Sequence, residues 1–221
     1  MPLGSLMQGA PHPDTPGVTI ASPRIYELFG AVFFAGRRDR AFTRLAGLSG
    51  AGRGDRVLDV GCGTGCLTRR MAAEVGPDGD VTGVDPSPPV LAHARDRKRR
   101  PGSAPCTYRE GIAEALDLPD ASFDTVVTSL MLHHLPENLR LPALREMRRV
   151  LRPGGRLLVA EFRPPSSRLG RLLVHGGTAH AMAHNRVDVL DGLVADAGFE
   201  VSGHGDVRPW LYYVQARRAE E

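Results

Sequence analysis

The residues Asp59-Val-Gly-Cys-Gly-Thr-Gly-Cys66 place three glycines at alternate positions directly after the apolar pair Val57-Leu58. Gly61, Gly63 and Gly65 allow a tight turn and a close approach of ligand to main chain, and the amides opening the next helix can face an anionic group. About 20 residues further on, Asp85 closes the run Asp80-Val-Thr-Gly-Val-Asp85, where a carboxylate can accept from both hydroxyls of a ribose. Loop and carboxylate together point to a ligand of the adenosine type. Dinucleotide folds favour G-x-G-x-x-G, whereas these glycines run G-x-G-x-G with Cys66 next, and the Gly-Lys-Ser/Thr ending that cradles a triphosphate is absent.

Histidine supplies the candidate bases. His133 and His134 follow a fourth strand at its carboxyl end, and neutral imidazole near pH 7 suits deprotonation of a phenol or enol; the alternative role for such a pair is to cap the next helix. His180 and His184 stand four apart, a spacing that zinc also uses, with His175 nearby. No third ligand is close in sequence and the accompanying Glu of metalloproteases is missing, so no metal site is expected. Cys62 and Cys66 flank the glycine loop, either as small residues filling a turn or as thiols beside a helix start. With Cys106 they make three cysteines, too few and too odd for a disulfide framework.

Positioning these residues requires strands that alternate with helices. The apolar pattern predicts strands at 56–60, 80–84, 105–109, 123–128, 156–162, 199–207 and 210–217, and helices at 65–75, 88–98, 137–150 and 186–197. That alternation means parallel pairing with right-handed crossovers: an α/β, Rossmann-like, doubly wound, mostly parallel seven-stranded sheet. The turn at Asp206-Val-Arg-Pro-Trp210 makes the last strand antiparallel. Ahead of the sheet, Ile25, Leu28, Phe29, Val32, Phe33, Phe42, Leu45 and Leu48 recur at helical intervals with a break near Gly36. The expected organisation is a disordered tail at 1–19, a helical lid at 20–50 and a ligand-binding domain at 51–221.

The net charge is +3, and the basic runs at 95–100 and 145–152 carry much of the positive excess. Aromatic residues are 5% of the chain and none interrupts the first run, so solvated helix faces are expected there and no nucleic-acid partner. No apolar run is long enough to span a bilayer and no secretory signal opens the chain, so no membrane span and a cytoplasmic location are expected.

Between about Tyr26 and Arg217 the chain resembles the class I S-adenosylmethionine (SAM)-dependent methyltransferases, in particular the branch holding the ubiquinone and menaquinone C-methyltransferases and many small-molecule enzymes. The resemblance rests on Val57-Leu-Asp-Val-Gly-Cys-Gly-Thr-Gly65, Gly83-Val-Asp-Pro-Ser87 and Glu114-Ala-Leu-Asp-Leu-Pro-Asp-Ala-Ser-Phe-Asp124. It continues through Ser129-Leu-Met-Leu-His-His134 and Glu146-Met-Arg-Arg-Val-Leu-Arg-Pro-Gly-Gly155. It implies that S-adenosyl-L-methionine is the cofactor, leaving as S-adenosyl-L-homocysteine. Asp59, Gly61, Cys62, Gly63, Thr64 and Gly65 would surround its methionine part, Asp85 its ribose, Pro86 and Ser87 its adenine. Gly111, Ile112 and Ala113 would lie at the adenine edge, Ser129 beside the methionine amine, and Tyr26 would be the lid's contact, among Phe29, Phe33, Phe34 and Phe42. Relatives carry Asp or Asn where this chain has Ile112, so one adenine hydrogen bond is missing, worth about 0.5–1.5 kcal/mol. The implied activity is O-, C- or N-methylation of a small, fairly apolar or aromatic acceptor by a monomer or homodimer. The same scaffold also admits another SAM-dependent reaction or a non-catalytic binding module.

Overall fold

In the computed structural model, which describes residues 16, 20, 22–34, 36–163 and 187–220, strand β1 (Arg56–Val60) is an interior strand of the sheet. Val57, Leu58 and Val60 are at most 1% exposed, as expected of a parallel strand covered on both faces. Strands β2 (Asp80–Asp85), β3 (Cys106–Glu110), β4 (Phe123–Ser129), β5 (Leu151–Phe162), β6 (Phe199–Val207) and β7 (Leu211–Arg218) complete a seven-stranded sheet. Its order is β3-β2-β1-β4-β5-β7-β6, with β7 antiparallel to both neighbours and the rest parallel. The doubly wound sheet and antiparallel last strand expected from the sequence are present.

Helices α2 (Arg38–Leu48) and α3 (Cys66–Val75) set Phe42, Leu45, Leu67 and Met71 against Val57, Val127 and Leu158 on one face. Helix α4 (Pro88–Arg95) joins that layer through Leu91 and Ala94, packed near Tyr108. On the other face α5 (Glu137–Val150) and α6 (Leu190–Asp196) bring Leu144, Met147 and Val194 against Leu58, Val126 and Leu157. Each fully buried side chain of this size contributes about 1.5–3 kcal/mol. Within the 20–50 segment the helices differ: α2 is part of this core, whereas α1 (Pro23–Phe33) leaves Leu28 67% and Val32 72% exposed.

Three boundaries depart from the periodicity. Strand β5 begins at Leu151 instead of 156, because Phe123 pairs with Leu151 and Thr125 with Arg156, leaving 152–155 as a bulge. Helix α4 stops at Arg95 rather than 98. The expected helix at 186–197 is a 3₁₀ turn, Val187–Val189, followed by α6, and Gly198 (φ +90°) ends it with its amide donating to Ala195.

The basic stretch at 145–152 is only in part a solvated face: Arg145 and Arg152 are exposed, whereas Arg149 is drawn into a network. Arg149 donates to Glu146, to Asp120 at 2.6 Å, and to the carbonyls of Leu116 and Leu118 at 2.8 Å, which ties α5 to the loop after β3. The hydrogen bond from Arg149 holds the Glu146 carboxyl below its ordinary range. Arg152 pairs with Asp124, and Arg148 donates to the carbonyl of Gly198. Among the described residues no helix is long and apolar enough to cross a membrane. His175, His180, His184, nearly all of the 1–19 tail and the side chains of Phe29 and Phe33 lie outside what is described.

Candidate functional site

At the carboxyl ends of β1, β2 and β4 the chain turns away from the sheet, and the space between these turns is a cavity. Val60, Gly61 and Gly63 form one wall, Val84, Asp85 and Pro86 a second, and Gly111, Ile112, Ala113 and Glu114 a third. Ser129, Leu130, Met131, His134 and Leu135 continue the lining after β4, and Ile20 and Tyr26 of the N-terminal segment complete it. Nine expected cofactor residues therefore meet around one space: Tyr26, Gly61, Gly63, Asp85, Pro86, Gly111, Ile112, Ala113 and Ser129. The others, Asp59, Cys62, Thr64, Gly65 and Ser87, are buried behind this lining.

The glycine loop is shaped by what surrounds it. A Cβ on Gly61 would lie 2.3 Å from Met131 Cγ and one on Gly65 2.5 Å from the Tyr108 hydroxyl, both at a φ near +70° that side chains avoid. Gly63 (φ +52°) has nothing within 4 Å of that position, so its open side is available to a ligand. The loop's amides are already committed: Gly61 and Cys62 donate to Val84 O at 2.8 and 3.0 Å, and Gly65 to Cys62 O at 2.9 Å. Gly63 N donates to Asp85 Oδ2 at 2.9 Å, and Ser87 N to Asp85 Oδ1 at 2.9 Å. A loop whose amides serve the protein and enclose a carboxylate is a poor phosphate cradle and a good seat for ribose hydroxyls or a cationic group.

Burial governs the carboxyls. It pushes the Asp59 carboxyl up to about 7, against the hydrogen bond that Thr68 Oγ1 donates to Oδ2 at 2.6 Å. It pushes Asp85 up to about 6, against the bonds from Ser87 and Gly63. Asp59 Oδ1 and Thr64 Oγ1 are buried without a hydrogen-bond partner. Burial also raises the hydroxyl of Tyr26, whose ring lies 5.5 Å from the Arg38 guanidinium, and raises the Cys62 thiol. The described cysteines are all free, with Cys62 and Cys66 buried. No three His, Cys, Asp or Glu side chains group into a metal site among the described residues.

Beyond Ser129 the chain bends sharply. Leu130 takes φ +58°, a conformation costing about 1–2 kcal/mol for a side-chain-bearing residue, while its amide donates to Ala160 O at 2.8 Å. His133 and His134 then occupy a 3₁₀ turn, Leu132–His134, and neither caps α5, whose start has no side-chain cap. Instead His133 Nδ1 lies 2.7 Å from Glu161 Oε2, while Glu161 Oε1 accepts from the Leu132 amide at 2.8 Å. With Nδ1 donating, Nε2 is left as the basic nitrogen. The His133 ring also packs at a tilt against His134 (centroids 4.2 Å apart) and Phe162 (5.5 Å), and Phe162 meets Phe34 at 6.4 Å. His134 lines the cavity and His133 does not; burial holds the His134 ring down to about 3, so it is neutral. Sequence reasoning missed Glu161, although an acidic residue ending the apolar run Leu157-Leu-Val-Ala160 was visible as an anomaly.

Known proteins agree with this architecture. Residues 57–155 match a family described as a methyltransferase domain. The ubiquinone/menaquinone biosynthesis C-methyltransferase UbiE of Ectopseudomonas mendocina is 36% identical over 176 residues, covering 69% of this chain and 68% of that protein. A SAM-dependent methyltransferase from Aquifex aeolicus superposes with a TM-score of 0.67 at 21% identity, covering 89% of this chain and 98% of that one. The [4+2]-cyclase SpnF also superposes with a TM-score of 0.67, at 23% identity over 83% of this chain and 81% of its own. The relationship to UbiE, in identity and in length shared, places this chain in the class I SAM-dependent methyltransferases, with S-adenosyl-L-methionine as its cofactor.

Proposed function

We propose that the enzyme methylates a ring carbon of a small, electron-rich aromatic acceptor of the hydroquinone type. The observation that carries this reading is the buried His133–Glu161 pair next to the cavity, with Phe162 packed at a tilt against His133. The name of the UbiE relative, a quinone-biosynthesis C-methyltransferase, points to the same chemistry.

Bound SAM would supply a methyl group on a sulfonium carbon, which needs alignment and a dry site more than acid or base. In our reading Gly61 to Gly65 flank the methionine part and Asp85 accepts from the ribose. Pro86, Ser87, Gly111, Ile112 and Ala113 enclose the adenine, and Ser129 and Asp59 lie toward the amine. The orphaned Asp59 Oδ1 and the open side of Gly63 are suited to that cationic end.

Carbon methylation needs a nucleophilic ring, and removal of a phenolic proton provides it. We assign that proton to His133 Nε2, with Nδ1 held by Glu161; because His134 and not His133 lines the cavity, the shift of the cover that admits SAM must also open the His133 ring to the acceptor. A proton must also leave the methylated carbon; the imidazolium can return its first proton to the ring oxygen as it accepts this one, and the single net proton departs when the cover opens. Ile20 and Tyr26 exclude water. The cavity volume of about 70 Å³ is well below the roughly 300 Å³ of ordinary ligand sites. The cover, which we place in Ile20 and α1, must therefore shift to admit SAM.

Incubation with SAM and 1,4-dihydroxynaphthalene, a reduced naphthoquinone, tests this. Expected are S-adenosylhomocysteine and a product heavier by one methyl group whose new carbon is bonded to ring carbon by NMR. An O-methyl product would refute carbon specificity. Acceptor turnover without S-adenosylhomocysteine would mean that this chain, like SpnF, uses the fold for other chemistry.

A further inference from the structure

Outside the cofactor cavity, between α3 and α4, lies a second cleft of about 410 Å³. Arg69, Arg95, Arg97, Arg99 and Arg100 line it and no carboxylate does. The stretch 95–100 was expected to be a solvated helix face; its residues are exposed, but α4 ends at Arg95, and Arg95, Arg97, Arg99 and Arg100 line one cleft with Arg69.

Most of these charges lack an acidic partner in the cleft wall. Arg69 Nη1 donates to Thr64 O at 2.8 Å, Arg95 Nη2 to Tyr108 O at 2.7 Å, and Arg99 Nε to Ser103 O at 2.9 Å. A bond to a neutral carbonyl fixes a guanidinium in place without cancelling its charge. Arg97 differs, being paired with Glu27. Tyr108 is also in the lining, 9% exposed, with its hydroxyl turned toward the Cys106 thiol. Like charges in a concave wall repel one another and focus their field on the space between them, which an anion relieves.

We propose that this cleft binds a small anion with adjacent phosphoryl groups, that is, a diphosphate. Guanidinium forks grip phosphoryl oxygens in pairs, and Arg69 on α3 faces the 95–100 stretch so that two neighbouring groups can be held at once. The volume is that of a small-molecule site. A nucleic-acid strand is disfavoured, because Tyr108 is the one aromatic residue in the lining and successive bases need stacking platforms. Anchoring three of the forks beforehand lowers the entropy lost on binding.

Calorimetric titration of the whole chain with pyrophosphate, at low salt and with saturating SAM so that the cofactor cavity is excluded, tests the proposal. Expected is one site of submillimolar affinity that weakens steeply as salt is raised. The double variant Arg95→Gln with Arg99→Gln should weaken it at least about tenfold, Arg95→Lys with Arg99→Lys should weaken it less, and SAM affinity should be unchanged in both. No heat at millimolar pyrophosphate overturns the proposal, as does affinity indifferent to the glutamine variant. Inorganic phosphate binding as tightly as pyrophosphate would overturn the diphosphate assignment. An RNA oligonucleotide or a polyglutamate peptide binding where pyrophosphate does not would overturn the small-anion class.

Discussion

Lowering the pH from 7 to 5.5 should weaken SAM binding by about sixtyfold, and two buried carboxyls set that figure. Asp59 and Asp85 are raised from 3.8 to about 7 and about 6 by burial. Raised values mean that the folded chain holds these protons more tightly than the unfolded chain. The neutral forms therefore stabilise the SAM-free fold in full below about pH 4, and that contribution is lost as the pH rises through 6 and 7. SAM binding has the opposite sign, because its ammonium and sulfonium favour the ionised carboxylates and binding must expel the protons. Each carboxyl then divides the affinity by one plus ten raised to its pKa minus the pH. If the two titrate independently, the loss relative to pH 7 is about tenfold at pH 6 and about sixtyfold at 5.5, or roughly 2.4 kcal/mol. The ligand's own amine titrates near 7.7–8.0, which is why the comparison starts at pH 7. Calorimetry in buffers of different ionisation enthalpy would read both the affinity and the protons released. Asp59→Asn should remove the larger factor and leave a drop of about fourfold at pH 5.5, from Asp85 alone. An affinity constant from pH 7 to 5.5, with no proton release, would refute the placement of Asp59 toward the cationic end of SAM and of Asp85 on its ribose.

Three further outcomes follow from the same geometry. Glu161→Gln should lower kcat by about ten- to a hundredfold with SAM affinity preserved, and should move the alkaline and acid limbs of the pH–rate profile; an unchanged profile would make the pair structural. Gly65→Ala puts a methyl 2.5 Å from the Tyr108 hydroxyl at φ +71°, so unfolding should occur at least about 2 kcal/mol earlier by denaturant titration, partly recovered by adding Tyr108→Phe. Ile112→Asn restores a donor and acceptor at the third wall of the cavity and should tighten SAM binding by up to about tenfold, read by equilibrium dialysis.

What the sequence disclosed depends on how local the cause is. Alternating strand and helix periods, Gly198 as a helix stop and the turn before β7 all act within a few residues, and they recover the sheet. The pairing of the glycine loop with Asp85 spans two strands, yet it was readable because the strands are adjacent and each ends in a marked residue. The His133–Glu161 contact was not readable, since it depends on Ser129 pairing with Ala160 across β4 and β5. The arginines at 95–100 are exposed as expected but do not share a helix face: charge composition continues past Arg95, whereas the helix does not. Likewise the bulge at 152–155 is a matter of strand register, and the Arg152 to Asp124 ion pair that accompanies it gives no periodic trace.

Ser87 Oγ donates to the carbonyl of Ile20 at 2.8 Å, so the cover over the cavity is fastened at the adenine side. Donor and spent product share this mouth, and each turnover has to undo and remake the fastening. Cover motions of this kind run on microsecond to millisecond timescales and often outlast the chemistry they enclose. Rapid mixing should therefore give a burst of methylated product in the first cycle and a slower steady rate after it, with Ser87→Ala raising the steady rate and leaving the burst in place.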